Sequence, residues 1–93
     1  MNRYRVEIQT EKENRQPNEY CFNDTQVGPR FKTAREAKVL ADKLIEEEKE
    51  RIAKGQPTKG FSCIRIICRV APWDEYIEYA WCPEYGVYTD AIV

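Results

Sequence analysis

The 93-residue chain contains no histidine, one serine (Ser62) and one methionine. Without an imidazole, Ser-His-Asp hydrolysis, thiol-imidazole proteolysis and every histidine-ligated metal site are excluded. The four glycines, Gly28, Gly55, Gly60 and Gly86, stand apart, so no glycine-rich loop is available to cradle a phosphate. Apolar residues occur in runs of a few at most, so neither a secretory core nor a membrane span can be drawn. Lacking that context, the four cysteines are expected to be reduced thiols of a cytoplasmic protein rather than a disulfide framework. Cys63 and Cys68 lie five apart in strand-like sequence and so on opposite faces, while Cys21 and Cys82 stand alone. No metal site, cofactor or catalytic residue is expected from this set. The acids Asp74, Glu75 and Glu84 sit in turn-like sequence, whereas acid–base work needs a desolvated cleft to separate their pKa values. We therefore read the chain as a non-enzyme.

Apolar residues make up 42% and charged residues 33%, a folded composition that fits one domain over residues 1–93. A chain of this size builds a modest core, which favours surface recognition over a deep substrate cavity.

Tyr4, Val6 and Ile8 alternate with Arg3, Arg5, Glu7 and Gln9, the pattern of a half-buried strand. Thr10 to Glu19 reads as a loop, Glu19 to Asn23 as a short strand, and Val27-Gly28-Pro29-Arg30 as a turn. Thr33-Ala34-Arg35-Glu36 has capping-box spacing and opens a helix over 34–54. Ala37, Leu40, Ala41, Leu44, Ile45 and Ile52 form its apolar stripe, with Glu47–Arg51 and Glu50–Lys54 as solvent-side pairs. Gly55 supplies the left-handed residue after it. Gln56 to Gly60 reads as a linker turn. Ile64, Ile66, Cys68 and Val70 form the apolar face of a strand over 62–70, opposite Cys63, Arg65, Ile67 and Arg69. Pro72 to Glu75 turns the chain into a strand over Tyr76–Cys82, with Ile77, Tyr79 and Trp81 on one side. Pro83-Glu84 then leads into a last strand, Tyr85 to Ile92. Short connections make the last three strands an antiparallel meander. The fold class is α+β: one long amphipathic helix packed on an antiparallel sheet of four to five strands, in the order β-β-α-β-β-β.

The formal charge of −1 conceals an asymmetry. From residue 71 onward there is no Lys or Arg, and Asp74, Glu75, Glu78, Glu84 and Asp90 give −5, against +4 for residues 1–70. Six of the eleven aromatics lie in the same stretch: Trp73, Tyr76, Tyr79, Trp81, Tyr85 and Tyr88. Strand alternation fits Ile77, Tyr79 and Trp81 to the core. Trp73, Asp74, Glu75, Tyr76, Glu78, Glu84 and Tyr85 remain as an acidic-aromatic docking surface for a basic protein partner, one that handles nucleic acid. A different reading places Arg3, Arg5, Arg65 and Arg69 on one sheet face as a nucleic-acid platform, although ion pairing with Glu7 or Glu78 across strands is the preferred account of these arginines. A homodimer through an exposed edge strand is a third. No membrane partner is expected.

The chain opens in a strand, enters its helix through Phe31, Thr33, Glu36 and Ala37, and ends in strands. In that architecture it resembles small phage and mobile-element proteins of the anti-CRISPR inhibitor type. The resemblance implies a non-catalytic inhibitor, acting in the host cytoplasm, that blocks a nucleic-acid-binding surface through acidic or aromatic patches.

Overall fold

In a computed structural model, which describes residues 2–12, 17, 22–56 and 61–92, one helix packs on a five-stranded antiparallel sheet. The elements are β1 (Tyr4–Glu11), β2 (Phe22–Phe31), α1 (Ala34–Ala53), β3 (Phe61–Ala71), β4 (Asp74–Cys82) and β5 (Gly86–Asp90). The sheet order is β2-β1-β3-β4-β5. β1 therefore lies between β2 and β3, which run parallel to each other and are joined through the helix, while β3, β4 and β5 form the expected meander.

Thr33 is extended, and its hydroxyl accepts from the Glu36 N–H at 3.2 Å, which starts the helix where the capping spacing put it. At the other end the Gly55 N–H donates to the Ile52 carbonyl (3.2 Å) and the Gln56 N–H to the Arg51 carbonyl (2.9 Å). These are the paired bonds of a Schellman stop, and they need the left-handed φ of 66° that Gly55 adopts. The Lys54–Glu50 pair forms at 2.6 Å. The buried stripe, however, is Ala37, Ala41, Ile45 and Glu48, whereas Ile52 is 48% exposed. Arg51 accordingly pairs with Glu48 (3.6 Å) rather than with Glu47. The Glu48 carboxylate is buried and neither of its oxygens has a hydrogen-bond partner.

The core joins Val6 of β1, Ala37, Ala41 and Ile45 of α1, Ile64 and Ile66 of β3, and Tyr79 and Trp81 of β4. Tyr4, Ile8, Phe31, Leu40, Leu44 and Ile92 pack around it. The helix lies over β1, β2 and β3, and the Lys38 ammonium reaches across to sit 5.1 Å from the Tyr79 ring centroid. The opposite face of the sheet carries no helix among the described residues.

Pairing corrects several boundaries. β1 continues through Thr10 and Glu11, because Thr10 finds Asn23 on one side and Phe61 on the other; sheet hydrogen bonding overrides the polar composition. The expected turn at Val27–Arg30 is instead strand. β2 runs from Phe22 to Phe31, and its register shifts where Val6 faces Val27 and Tyr4 faces Phe31. Two extra β2 residues are accommodated there by Gly28 at φ 72° and by Pro29, which a sheet edge tolerates because its missing N–H leaves no partner unpaired. The rest of the expected short strand, Glu19 to Cys21, lies outside the described residues, as does the linker from Pro57 to Gly60. Asp74 and Glu75 belong to β4 rather than to the turn, and Tyr85 belongs to the turn rather than to β5. Val70, expected on the apolar face, is 43% exposed where the β3–β4 register shifts.

Two substitutions test this account. A Cβ at Gly28 would meet Leu40 Cδ2 at 2.9 Å and force a left-handed backbone on an L-residue. Gly28→Ala should therefore lower unfolding free energy by about 1–2 kcal/mol in urea denaturation. Glu48→Met removes a buried carboxylate that no hydrogen bond satisfies. It also leaves the largely buried Arg51 guanidinium without its partner, so it should lower stability by about 2 kcal/mol in the same assay, and adding Arg51→Met should recover most of that loss.

Candidate interaction surfaces

Alternation along β1 sends Tyr4, Val6 and Ile8 to the helix and Arg5, Glu7 and Gln9 to the open face. Opposite them on β3, Ile64 and Ile66 take the helix side and Arg65, Ile67 and Arg69 the open side. The open-face charges alternate and lock. Glu7 accepts from Arg5 Nε at 2.7 Å and from Arg65 Nη2 at 3.0 Å. Arg65 also pairs with Asp24 of β2 (3.6 Å). Glu75 of β4 accepts from Arg5 and pairs with Arg69 Nε at 3.4 Å. The string Asp24–Arg65–Glu7–Arg5–Glu75–Arg69 thus crosses four strands. The arginine stems lie over Ile67, which is 5% exposed although no helix covers it. Hydrogen bonding to Arg5 holds the Glu75 carboxyl below the usual range, with Arg5, Arg69 and Arg30 adding to the effect.

Arg5, Arg65 and Arg69 therefore share one face, as the platform reading requires, but their partners are Glu7, Asp24 and Glu75 rather than Glu78. The central guanidiniums, Arg5 and Arg65, are committed to these carboxylates and largely buried. Arg3 lies just ahead of β1, its carbonyl accepting from the Arg69 N–H at 2.9 Å.

The seven candidate docking residues divide. Trp73 projects from the β3–β4 turn, 86% exposed, with Asp74 and Glu75 opening β4 behind it. Glu84 and Tyr85 (76% exposed) sit in the β4–β5 turn, at the far end of the nine-residue β4, roughly 27 Å away. They cannot form one patch. Register also re-aims the middle of β4. Ile66 pairs with Tyr79 but Ile67 with Ile77, which leaves Glu78 in a bulge with no register partner on β3. Tyr79 and Trp81 are core, as expected. Ile77 instead joins Ile67 on the open face, and Tyr76, expected on the face opposite the helix, pairs with Cys68 on the helix side. Hydrogen bonding of the Tyr76 hydroxyl to Cys68 and Glu78 raises its pKa.

Sequence reasoning did not find the concave feature at the β4–β5 end. A cavity of about 710 Å³ is lined by Gln9, Phe22, Cys63, Cys82, Pro83, Glu84, Tyr85 and Tyr88. A second bulge builds it: Ala80 pairs with Thr89 but Trp81 with Val87, which frees Tyr88. Its ring crosses β4 and brings the hydroxyl to 2.8 Å from the Cys63 Sγ on β3. One step beyond the Ile64–Trp81 pair, the register places Cys63 beside Cys82, so Cys82 is not the isolated thiol its sequence position indicated. The Cys82 sulfur accepts from the Tyr85 N–H at 3.3 Å and so anchors the turn. Burial pushes the Cys63 thiol up, which keeps it neutral and unsuited to nucleophilic attack. Cys63, Cys68 and Cys82 are free thiols, and the described residues contain no cluster able to hold a metal ion. No described helix is long and apolar enough to cross a membrane.

Glu75 gives the surface a pH signature. Because its folded pKa is depressed, its stabilisation is present above the unfolded carboxylate value, about 4.3, and is lost as pH falls through the folded value. Glu75→Gln should be less stable than wild type by up to about 1 kcal/mol at pH 7, with the gap narrowing as pH falls below the ordinary carboxylate value of about 4.3 in thermal melts. Comparison of the chain with protein-family models, with curated proteins and with solved structures finds no match.

Proposed function

We propose that this protein is a cytoplasmic, non-catalytic binding module that holds a basic protein partner at the β4–β5 end of its sheet. The observation that carries this reading is the 710 Å³ cavity, which presents the Phe22, Tyr85 and Tyr88 rings beside the Glu84 carboxylate and, among the described residues, has no cation in its lining. A Lys or Arg side chain complements it: the stem lies against the rings, the charge meets their faces and the carboxylate neutralises it. Glu84 and Tyr85 belong to the acidic-aromatic set that the sequence singled out. Tyr88, freed by its bulge, adds a third aromatic wall. Exposed rings of this kind at a concave site are characteristic of the centres of protein interfaces. A phage-encoded inhibitor that masks a nucleic-acid-handling protein is the most specific form of the reading, and the two-layer β-β-α-β-β-β build is consistent with it.

The test uses a blocked octa-arginine peptide and its neutral octa-citrulline analogue, followed by backbone amide NMR. The arginine peptide should shift the amides of Cys82 to Tyr88 and the citrulline peptide should not. Glu84→Lys should weaken binding about tenfold, or roughly 1.4 kcal/mol, with Tm unchanged within about 3 °C because the residue is exposed. Equal affinity of this variant, or equal binding of the two peptides, would overturn the proposal.

A further inference from the structure

At the other end of β4 the open face is basic. Arg3 and Arg5 arrive on β1 and its approach, Arg30 near the end of β2 and Arg69 near the end of β3. Arg30 falls on this face because its neighbour Phe31 packs on the helix side, and its charge is felt by the Glu75 carboxyl. Glu75 is shared between Arg5 and Arg69, and Arg5 draws also on Glu7. Among the described residues Arg3 and Arg30 form no ion pair. Arg69 is bound loosely, at 3.4 Å to Glu75 and 3.5 Å to the Pro72 carbonyl, with 47% of its side chain exposed. Asn2, Arg3, Arg69, Val70, Ala71 and Pro72 line a recess of about 320 Å³. Trp73 follows directly, 86% exposed, and the adjacent carboxylate, Asp74, alternates to the face opposite Glu75.

We infer that this corner binds the phosphates of a single-stranded nucleic acid, with Trp73 stacking on an unpaired base. Glu75 fixes two of the four guanidiniums and leaves positive charge in excess, so an incoming phosphate meets oriented donors that lack a full set of partners. A largely exposed indole beside them stacks on any base that is not already stacked in a duplex. An acidic peptide would satisfy the arginines but leave the indole unused. The inference is independent of the cation-binding cavity, which lies at the opposite end of β4.

The experiment is fluorescence polarisation of a labelled 15-nucleotide oligothymidylate, with a duplex of equal length and an octa-glutamate peptide as comparators. Saturable binding should appear at 20 mM salt. With two to three phosphate contacts it should weaken by roughly sevenfold to twentyfold between 50 and 200 mM. Arg3→Glu, which disturbs no ion pair among the described residues, should weaken binding at least fivefold. Trp73→Ala should weaken it about tenfold and abolish the quenching of tryptophan fluorescence on binding, since Trp81 is buried. Both variants should melt like wild type. Glu84→Lys should leave the affinity undiminished, which separates this result from the protein-binding test. Absence of binding at 20 mM salt, unchanged affinity in both variants, or equal binding of the duplex or the peptide would overturn the inference.

Discussion

One helix cannot cover a five-stranded sheet, and the rest of the molecule follows from that mismatch. A helix is about 10 Å across and strands are spaced about 4.8 Å apart, so α1 shelters two or three strands and lies over β2, β1 and β3. The whole opposite face and the β4–β5 margin must be made compatible with water by other means. The opposite face achieves this with alternating guanidinium and carboxylate groups, whose stems bury Ile67 and whose heads neutralise one another. β1 is central to both solutions. Val6 anchors the helix side, and the next residue, Glu7, holds two arginines on the other.

Bulges decide what the margin offers. The bulge at Glu78 turns Ile77 away from the core, and the bulge at Tyr88 swings its ring over β4 toward Cys63. At the edge, Gly28 and Pro29 break the regularity of β2, an arrangement that discourages strand addition there. Each irregularity adds little stability, yet each redirects a side chain that regular alternation would have placed elsewhere.

The two ends of β4 thereby acquire opposite chemical preferences. One presents rings and a carboxylate around a cavity that has no cation among its described lining residues; the other presents arginines in excess of acids beside an exposed indole. On the two proposals made above, one end would take a basic polypeptide and the other a phosphate backbone, and the roughly 27 Å between them would let both bind without competing. The formal charge of −1 keeps long-range attraction to a polyanion weak, so recognition at either end rests on short-range contacts.

By itself the sequence determined the helix, its cap at Thr33 and its stop at Gly55, because these depend on local hydrogen bonds among neighbouring residues. It determined the apolar strands around Val6 and Ile64–Cys68, and hence the α+β class, because alternation registers burial without knowledge of the partner strand. It also marked Trp73, Glu84 and Tyr85 as surplus to the core. Only the tertiary structure decided that Val27–Arg30 is strand, that Ile77 faces away from Tyr79, that Glu48 is buried while Ile52 is not, and that Arg5 spends its charge on Glu7 and Glu75. It alone placed the candidate docking residues at opposite ends of β4 and built the cavity around Tyr88. The reason is register: a one-residue shift between paired strands leaves the composition and periodicity of each strand untouched, yet it reverses the face on which every later side chain emerges.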